Sequence, residues 1–268
     1  MTFTPRLVAL DIDGTLVDGY GVMPPEVHAA VRRAVDAGAT VVLSTGRSWL
    51  ATKPIFDDLD LPSGWAVSSN GAMVVTYPPF DVRHEVRFDP AEVVRRAAEI
   101  APQAAIAVQD GLDWRANRHF PPGELLGEVT IESIDELASR EVSRVVVRDP
   151  ESTEEKFAEM VSQLGLHEVS FFVGWSAWLD IAPKGVDKSA GLEMVCRELG
   201  IAQADVLAIG DGRNDIEMLE WAGRGVAMGD APDEVKAAAD YVTGNFADLG
   251  TVDELDRWFP AVERRASA

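Results

Sequence analysis

Short apolar runs that end in polar turns recur along this chain, with longer segments of helical spacing between them. The first run, Leu7-Val8-Ala9-Leu10, leads directly into Asp11-Ile12-Asp13-Gly14. An uninterrupted apolar run bounded by a turn reads as a strand buried on both faces, its C-terminal end opening onto a loop. The same grammar returns where Val41-Val42-Leu43-Ser44 meets Thr45-Gly46-Arg47, and where Val206-Leu207-Ala208-Ile209 meets Gly210-Asp211-Gly212-Arg213-Asn214-Asp215. Between the first two, Val27, Val31 and Val35 stand at i, i+4 spacing and the segment stops at Gly38, which predicts a helix over 24–37. A second helix over 48–59 leads to a strand at Trp65-Ala66-Val67-Ser68. Strand and helix thus alternate over 6–82, the pattern of an α/β fold built on a parallel, doubly wound sheet. Ligands bind beyond the carboxyl ends of the strands in such sheets, so chemistry is expected at Asp11, Thr45 and Asp211.

The rhythm changes near Pro78-Pro79. Downstream the pattern predicts a helix over 90–100, two strands within 104–117, a short helix over 133–139, a strand over 142–148, a helix over 152–164 and two strands through Ile181. Paired strands alternating with helices predict an antiparallel sheet covered by helices, inserted into the first architecture. After Pro183 and Gly185 the first pattern resumes: helix 187–199, strand 205–210, helix 214–221, strand 224–228, helix 232–239 and strand 240–243. The expected organisation is a discontinuous core domain, 1–82 with 184–268, carrying an inserted α/β domain over 83–183. The tail beyond about 260 is expected to fray.

Composition narrows the function class. A formal net charge of −21, with no compensating cluster of lysine or arginine, opposes nucleic-acid phosphates and anionic lipid, so neither is expected as a partner. No apolar run approaches the ~20 residues that span a bilayer. The chain does not open with a basic segment, a long apolar stretch and a small-residue cleavage site, so the cytoplasm is the expected location. The lone cysteine, Cys196, falls on an apolar helix face with Leu192, Val195 and Leu199 and is expected to be core.

Asp11, Asp13, Asp211 and Asp215 meet if the strands before them are neighbours. Four crowded carboxylates cannot all stay ionised unless a cation neutralises them. An acid-lined loop with few other ligands suits magnesium, which keeps waters and substrate oxygens, better than calcium, which takes a fuller protein cage. Lys188 and Thr45 add positive charge and a hydrogen-bond donor, the requirements of phosphoryl transfer. A carboxylate nucleophile divides hydrolysis into formation and breakdown of an aspartyl-phosphate, which assigns Asp11 as nucleophile and Asp13 as acid and base. Asn70-Gly71 follows a strand end on the same edge and joins the candidate substrate contacts.

Asp11-Ile12-Asp13-Gly14-Thr15, Ser44-Thr45-Gly46-Arg47, Gly185-Val186-Asp187-Lys188 and Gly210-Asp211-Gly212-Arg213-Asn214-Asp215 resemble, in order and spacing, the four motifs of the haloacid dehalogenase superfamily. The insertion and the run Gly225-Val226-Ala227-Met228-Gly229-Asp230-Ala231 resemble the Cof-type branch with a type IIB cap. The resemblance implies a Rossmann-like core and a cap over it, with Asp11 phosphorylated and Asp13 serving as acid/base while its backbone carbonyl binds magnesium. It implies Asp211 as a further metal ligand, and Asp215 as a ligand or a holder of metal-bound water. It also implies phosphoryl contacts from Ile12, Thr45, Gly46, Lys188 and Asn214. Arg47 is placed to reach a leaving group, and Lys188 is favoured over Lys184 by its spacing to the following helix. Ala247-Asp248-Leu249-Gly250 departs from the branch's usual Glu-Asp-Gly-Val run, which bears on local loop geometry.

The function expected is magnesium-dependent hydrolysis of a small phosphorylated metabolite. The alternatives are a phosphomutase or phosphotransferase that hands the phosphoryl group to a sugar hydroxyl, and a phospho-aspartate signalling protein. In the insertion, Trp114, Arg115, Arg118, His119, Trp175 and Trp178 are candidate leaving-group contacts, with core packing the commoner use of a strand tryptophan.

Overall fold

The computed structural model describes residues 3–165, 169–174 and 177–261, and these form two sheets. In chain order the first part contains β1 (Leu7–Leu10), α1 (Pro25–Asp36), β2 (Thr40–Ser44), α2 (Trp49–Asp58), β3 (Gly64–Ser68), β4 (Met73–Tyr77) and β5 (Asp81–Glu85). Next come α3 (Ala91–Ile100), β6 (Ala105–Asp110), β7 (Asp113–Ala116), β8 (Val129–Ile131), α4 (Ile134–Leu137), β9 (Arg144–Arg148), α5 (Glu154–Gln163), β10 (Val169–Gly174) and β11 (Trp178–Pro183). The chain then returns through α6 (Lys188–Leu199), β12 (Val206–Gly210), α7 (Ile216–Trp221), β13 (Arg224–Ala227), α8 (Asp233–Ala238), β14 (Tyr241–Val242) and α9 (Gly250–Trp258).

The larger sheet has the order β14-β13-β12-β1-β2-β3-β4-β5. Successive side chains of β1 point to opposite faces: Val8 and Leu10 pack with α1, α2 and α9, while Leu7 and Ala9 pack with α6, α7 and α8. Both faces are covered, which is why the run contains no polar residue. Each large apolar side chain withdrawn completely from water in this way contributes about 1.5–3 kcal/mol. Helix α1 buries Val27, Ala30, Val31 and Ala34, the i, i+3, i+4, i+7 stripe, and starts with proline at its first position. The parallel register aligns Leu10 with both Leu43 and Ile209, so the residues after β1, β2 and β12 emerge along one edge.

Three features differ from the sequence expectation. Strands β4 and β5 are antiparallel additions to the edge of the parallel sheet, and the Pro78-Pro79 step is the connection between them. Position 82, where the expected core segment ends, therefore lies inside a strand of the larger sheet. The smaller sheet, ordered β10-β11-β9-β6-β7-β8, is antiparallel except that β8 runs parallel to β7. Helix α9 was absent from the sequence reading; its Leu255 is buried and its Trp258 packs against the core that α1 lines.

The smaller sheet carries α3, α4 and α5 on one face, where Val93, Val94, Leu137 and Phe157 pack against Ile106, Val108, Val145, Leu179 and Ile181. At the departure from the family run, Leu249 stands at φ 62°, a left-handed conformation that glycine takes without strain and leucine does not. Trp175 and the expected frayed tail from 262 onward lie outside the described residues.

Candidate active site

Lys188 is the first residue of α6, and its entire side chain is buried. The helix begins there because Asp187 caps it, its Oδ1 accepting from the Ala190 N–H at 3.0 Å. It lies close to the sheet because Gly191 faces Val67: a Cβ at that position would stand 2.5 Å from a Val67 methyl. That approach carries Lys188 Nζ between Asp11 Oδ1 at 2.6 Å and Asp215 Oδ1 at 2.5 Å. The other oxygen of Asp215 accepts the backbone N–H groups of Asp211 at 3.1 Å and Gly212 at 2.9 Å. Asp215 is thereby fixed by three donors, which explains how a fully buried carboxylate is accommodated.

Asp11, Asp211 and Asp215 each offer a carboxylate oxygen within 4.8 Å of the others. Burial holds the Asp11 carboxyl well above its ordinary range, partly offset by Lys188 and reinforced by Asp215, Asp211 and Asp13. Burial, with Asp215 next to it, pushes Asp211 up to about 7, against a partial opposing pull from Lys188. Burial works against charge on Lys188 too, but Asp11 and Asp215 outweigh it and the ammonium is held more tightly than usual. One ammonium does not balance three clustered carboxylates, and that imbalance adds to burial in raising Asp11 and Asp211. An all-oxygen site with few protein ligands fits a hard divalent cation that retains water.

The Asp13 carboxylate lies outside the triad. It is largely exposed and held in a two-point fork by Arg47, with Nε 2.9 Å from Oδ2 and Nη2 2.6 Å from Oδ1. Arg47 thus grips the expected acid/base residue. The Asp13 fork and burial are the leading influences on the guanidinium, and the net effect holds its proton more tightly.

Thr45 is buried at the end of β2, its Oγ1 accepting from the Arg47 N–H at 3.1 Å. Asn70 Oδ1 accepts from Asn214 Nδ2 at 2.9 Å, and both carboxamides flank Gly46. The structure therefore brings Asp11, Lys188, Asp211 and Asp215 into one cluster, with Thr45, Gly46, Asn70 and Asn214 along the same strand edge. Ile12 directs its side chain into the core, so its contribution to the edge is backbone. Lys184 is exposed.

The sequence reading missed Ser69. It occupies the left-handed region with Asn70 and Gly71, at φ 51°, 52° and 93°, where a serine costs about 1–2 kcal/mol. Its hydroxyl donates to Gln109 Oε1 of the smaller sheet at 2.9 Å. A Ser-Asn-Gly run closing a strand was the available signal for the turn; nothing local announced the partner.

Four of the candidate leaving-group residues, Trp114, Arg115, Arg118 and Trp178, have partners within their own part of the chain. Trp114 is buried and donates its indole N–H to the Leu126 carbonyl at 3.1 Å. Arg115 is buried against Glu132, Arg118 donates to the carbonyls of Gln103 and Pro102, and Trp178 meets Phe120 edge-on. His119 is exposed.

Comparison with known proteins bears on the whole chain. A family model described as haloacid dehalogenase-like hydrolase matches residues 8–255. The 5-amino-6-(5-phospho-D-ribitylamino)uracil phosphatase YitU of Bacillus subtilis (strain 168) is 28% identical, the alignment covering 97% of this chain and 99% of that protein. The pyridoxal phosphate phosphatase YbhA of Escherichia coli (strain K12) is 30% identical, with 90% and 94% covered. Among solved structures, a HAD subclass IIB sugar phosphatase, BT4131, superposes with a TM-score of 0.81 at 25% identity, covering 96% of this chain and 100% of that one. With the motif residues gathered at one sheet edge and the match running almost end to end, the chain belongs to the haloacid dehalogenase-like hydrolases.

Proposed function

We propose that this hydrolase is a magnesium-dependent phosphatase that cleaves a small phosphorylated metabolite through an aspartyl-phosphate on Asp11. The observation that carries the reading is Asp11 at the tip of β1, bound by buried Lys188 and adjoined by Asp211 and Asp215. The Asp11 carboxylate attacks phosphorus, the bond from phosphorus to the leaving oxygen breaks, and Asp13 delivers a proton to that oxygen. Asp13 then accepts a proton from the water that attacks the aspartyl-phosphate, releasing inorganic phosphate and restoring Asp11. Lys188 holds Asp11 in place and supplies fixed positive charge to the phosphoryl oxygens. Asp11, Asp211 and Asp215 would hold magnesium with their carboxylates, and Asp13 with its backbone carbonyl. When bound, the ion neutralises the carboxylates and the oxygens of the transferring group. Thr45, Gly46, Asn70 and Asn214 line the phosphoryl position, while Arg47 orients Asp13 and faces the leaving group.

The smaller sheet and its helices serve in this reading as a cap over the larger sheet. A cap of that size favours small substrates over protein ones, in keeping with relatives named for a phosphoribityl compound, pyridoxal phosphate and a sugar phosphate. A single cysteine builds no internal disulfide, which fits the reducing cytoplasm. Among the described residues no helix is long and apolar enough to cross a membrane.

The test is phosphate release from a panel of phosphorylated metabolites, with magnesium, with a chelator and with Asp11→Asn. Turnover of one compound class, lost under both controls, supports the reading. Transfer of the phosphoryl group to a sugar hydroxyl without free phosphate would replace it with a phosphotransferase, and a long-lived phosphoprotein with a signalling role.

A further inference from the structure

We propose that Gln109 of the smaller sheet is a positioning residue for the phosphoryl site, acting through Ser69 on the turn that carries Asn70. The inference rests on the proposed function for its catalytic meaning, while the contact itself is structural.

Gln109 and Ser69 are both almost completely buried, at 0% and 1% exposure; Gln109 lies on β6 of the smaller sheet and Ser69 in the turn between β3 and β4 of the larger one. The Gln109 carboxamide has one orientation available: its Nε2 donates to the Gly111 carbonyl at 3.0 Å, which leaves Oε1 to accept from the Ser69 hydroxyl at 2.9 Å. Its backbone carbonyl accepts from the Ser143 N–H and hydroxyl, the residue just before β9, which holds it from behind. On the other side, Ser69 opens a turn wired to three motif segments. The Ser69 N–H donates to the Arg47 carbonyl at 2.8 Å and the Asn70 N–H to the Thr45 carbonyl at 3.0 Å. Asn70 accepts from Asn214, and Gly71 lies against the Asp187 carbonyl so closely that a Cβ would stand 1.9 Å from it.

Three successive left-handed residues persist only where their surroundings over-determine them. The Ser69 hydroxyl is a point at which the smaller sheet contributes to that constraint. Displacing the smaller sheet removes it, and the turn is then free to relax at Thr45, Arg47 and Asn214 together. Gln109 thus ties the geometry of the phosphoryl pocket to the seating of the smaller sheet on the larger one.

The experiment compares Gln109→Leu, Ser69→Ala and the double variant with the wild-type chain by hydrogen exchange and by steady-state kinetics on the metabolite that the panel identifies. Gln109→Leu is expected to speed exchange of the Ser69 and Asn70 amides by about 10-fold while the amides of β1 and β12 keep their rates. It should lower kcat by about 10-fold with KM changed less than 2-fold, and the double variant should match the worse single one because both remove the same contact. Unchanged exchange at Ser69 and Asn70 in both single variants overturns the inference. So does a loss of kcat that adds across the two substitutions. If the wild-type chain releases no phosphate from any compound, the proposed function fails, and the exchange measurement still decides whether Gln109 governs the turn.

Discussion

Gly14 approaches Asp211 so closely that a Cβ on the glycine would lie 2.3 Å from the Asp211 Oδ2. Its φ of 76° is a conformation that side chains resist as well. The glycine of the first motif and the aspartate of the fourth therefore define each other's place. Gly14→Ala should displace the Asp211 carboxylate and weaken divalent-cation binding by about 10-fold or more, the equivalent of about 1.4 kcal/mol. The left-handed backbone adds about 1–2 kcal/mol of lost stability. Calorimetric titration with magnesium checks the first effect and urea denaturation the second.

Lys188→Met removes the ammonium that Asp11 and Asp215 share and leaves two buried carboxylates unpaired. Breaking a buried ion pair from one side costs about 3–5 kcal/mol, so metal-free Lys188→Met should unfold at markedly lower urea. Saturating magnesium should restore part of that loss while phosphate release stays abolished. Unaltered activity in a folded Lys188→Met chain would remove the lysine from the mechanism.

The pH dependence of the metal-free protein follows from Asp211. Its carboxyl titrates near 3.8 when unperturbed and at about 7 in the folded chain. Between those values the folded state binds more protons than the unfolded state, so stability falls as pH rises through that window and levels off above about 7. Asp11, raised in the same direction, deepens the trend. Thermal melts should show the chelated protein more stable at pH 5 than at pH 8, and magnesium should raise the midpoint more at pH 8. Equal stabilisation by the ion at both values would show that these carboxylates do not bind it.

Asp13→Asn separates proton delivery from phosphoryl transfer. Alkyl phosphates leave as strongly basic alkoxides and need the proton, whereas p-nitrophenolate leaves without it. General acid catalysis contributes about 10²–10⁴-fold, so the variant should lose that much on an alkyl phosphate and far less on p-nitrophenyl phosphate. Equal losses on both would assign Asp13 a role other than proton donor.

Glu254 is fully buried and accepts from Arg224 at 2.7 Å, Arg257 at 3.2 Å and the Trp258 indole at 2.9 Å. It meets Arg224 at the start of β13, the end of the strand remote from the catalytic edge. Glu254→Ala should cost about 3–5 kcal/mol of folding stability and leave KM unchanged at a temperature where the variant is folded.

The local patterns of the chain determined most of the elements and the chemistry they carry. A buried strand covered on both faces must be apolar throughout, so β1, β2 and β12 were legible as runs, and the polar residues ending each run marked the catalytic edge. Helix stripes and stop signals such as Gly38 are likewise properties of neighbouring residues. Strand pairing and contacts between distant segments are different. Whether Met73–Tyr77 and Asp81–Glu85 join the parallel sheet depends on an edge available for pairing, which no local pattern records. The fork of Arg47 on Asp13, the seat of Lys188 between Asp11 and Asp215, and the meeting of Ser69 with Gln109 are decided by how sheets and helices pack. Each joins residues far apart in the chain, and their energies depend on burial and distance that exist only once the chain has folded.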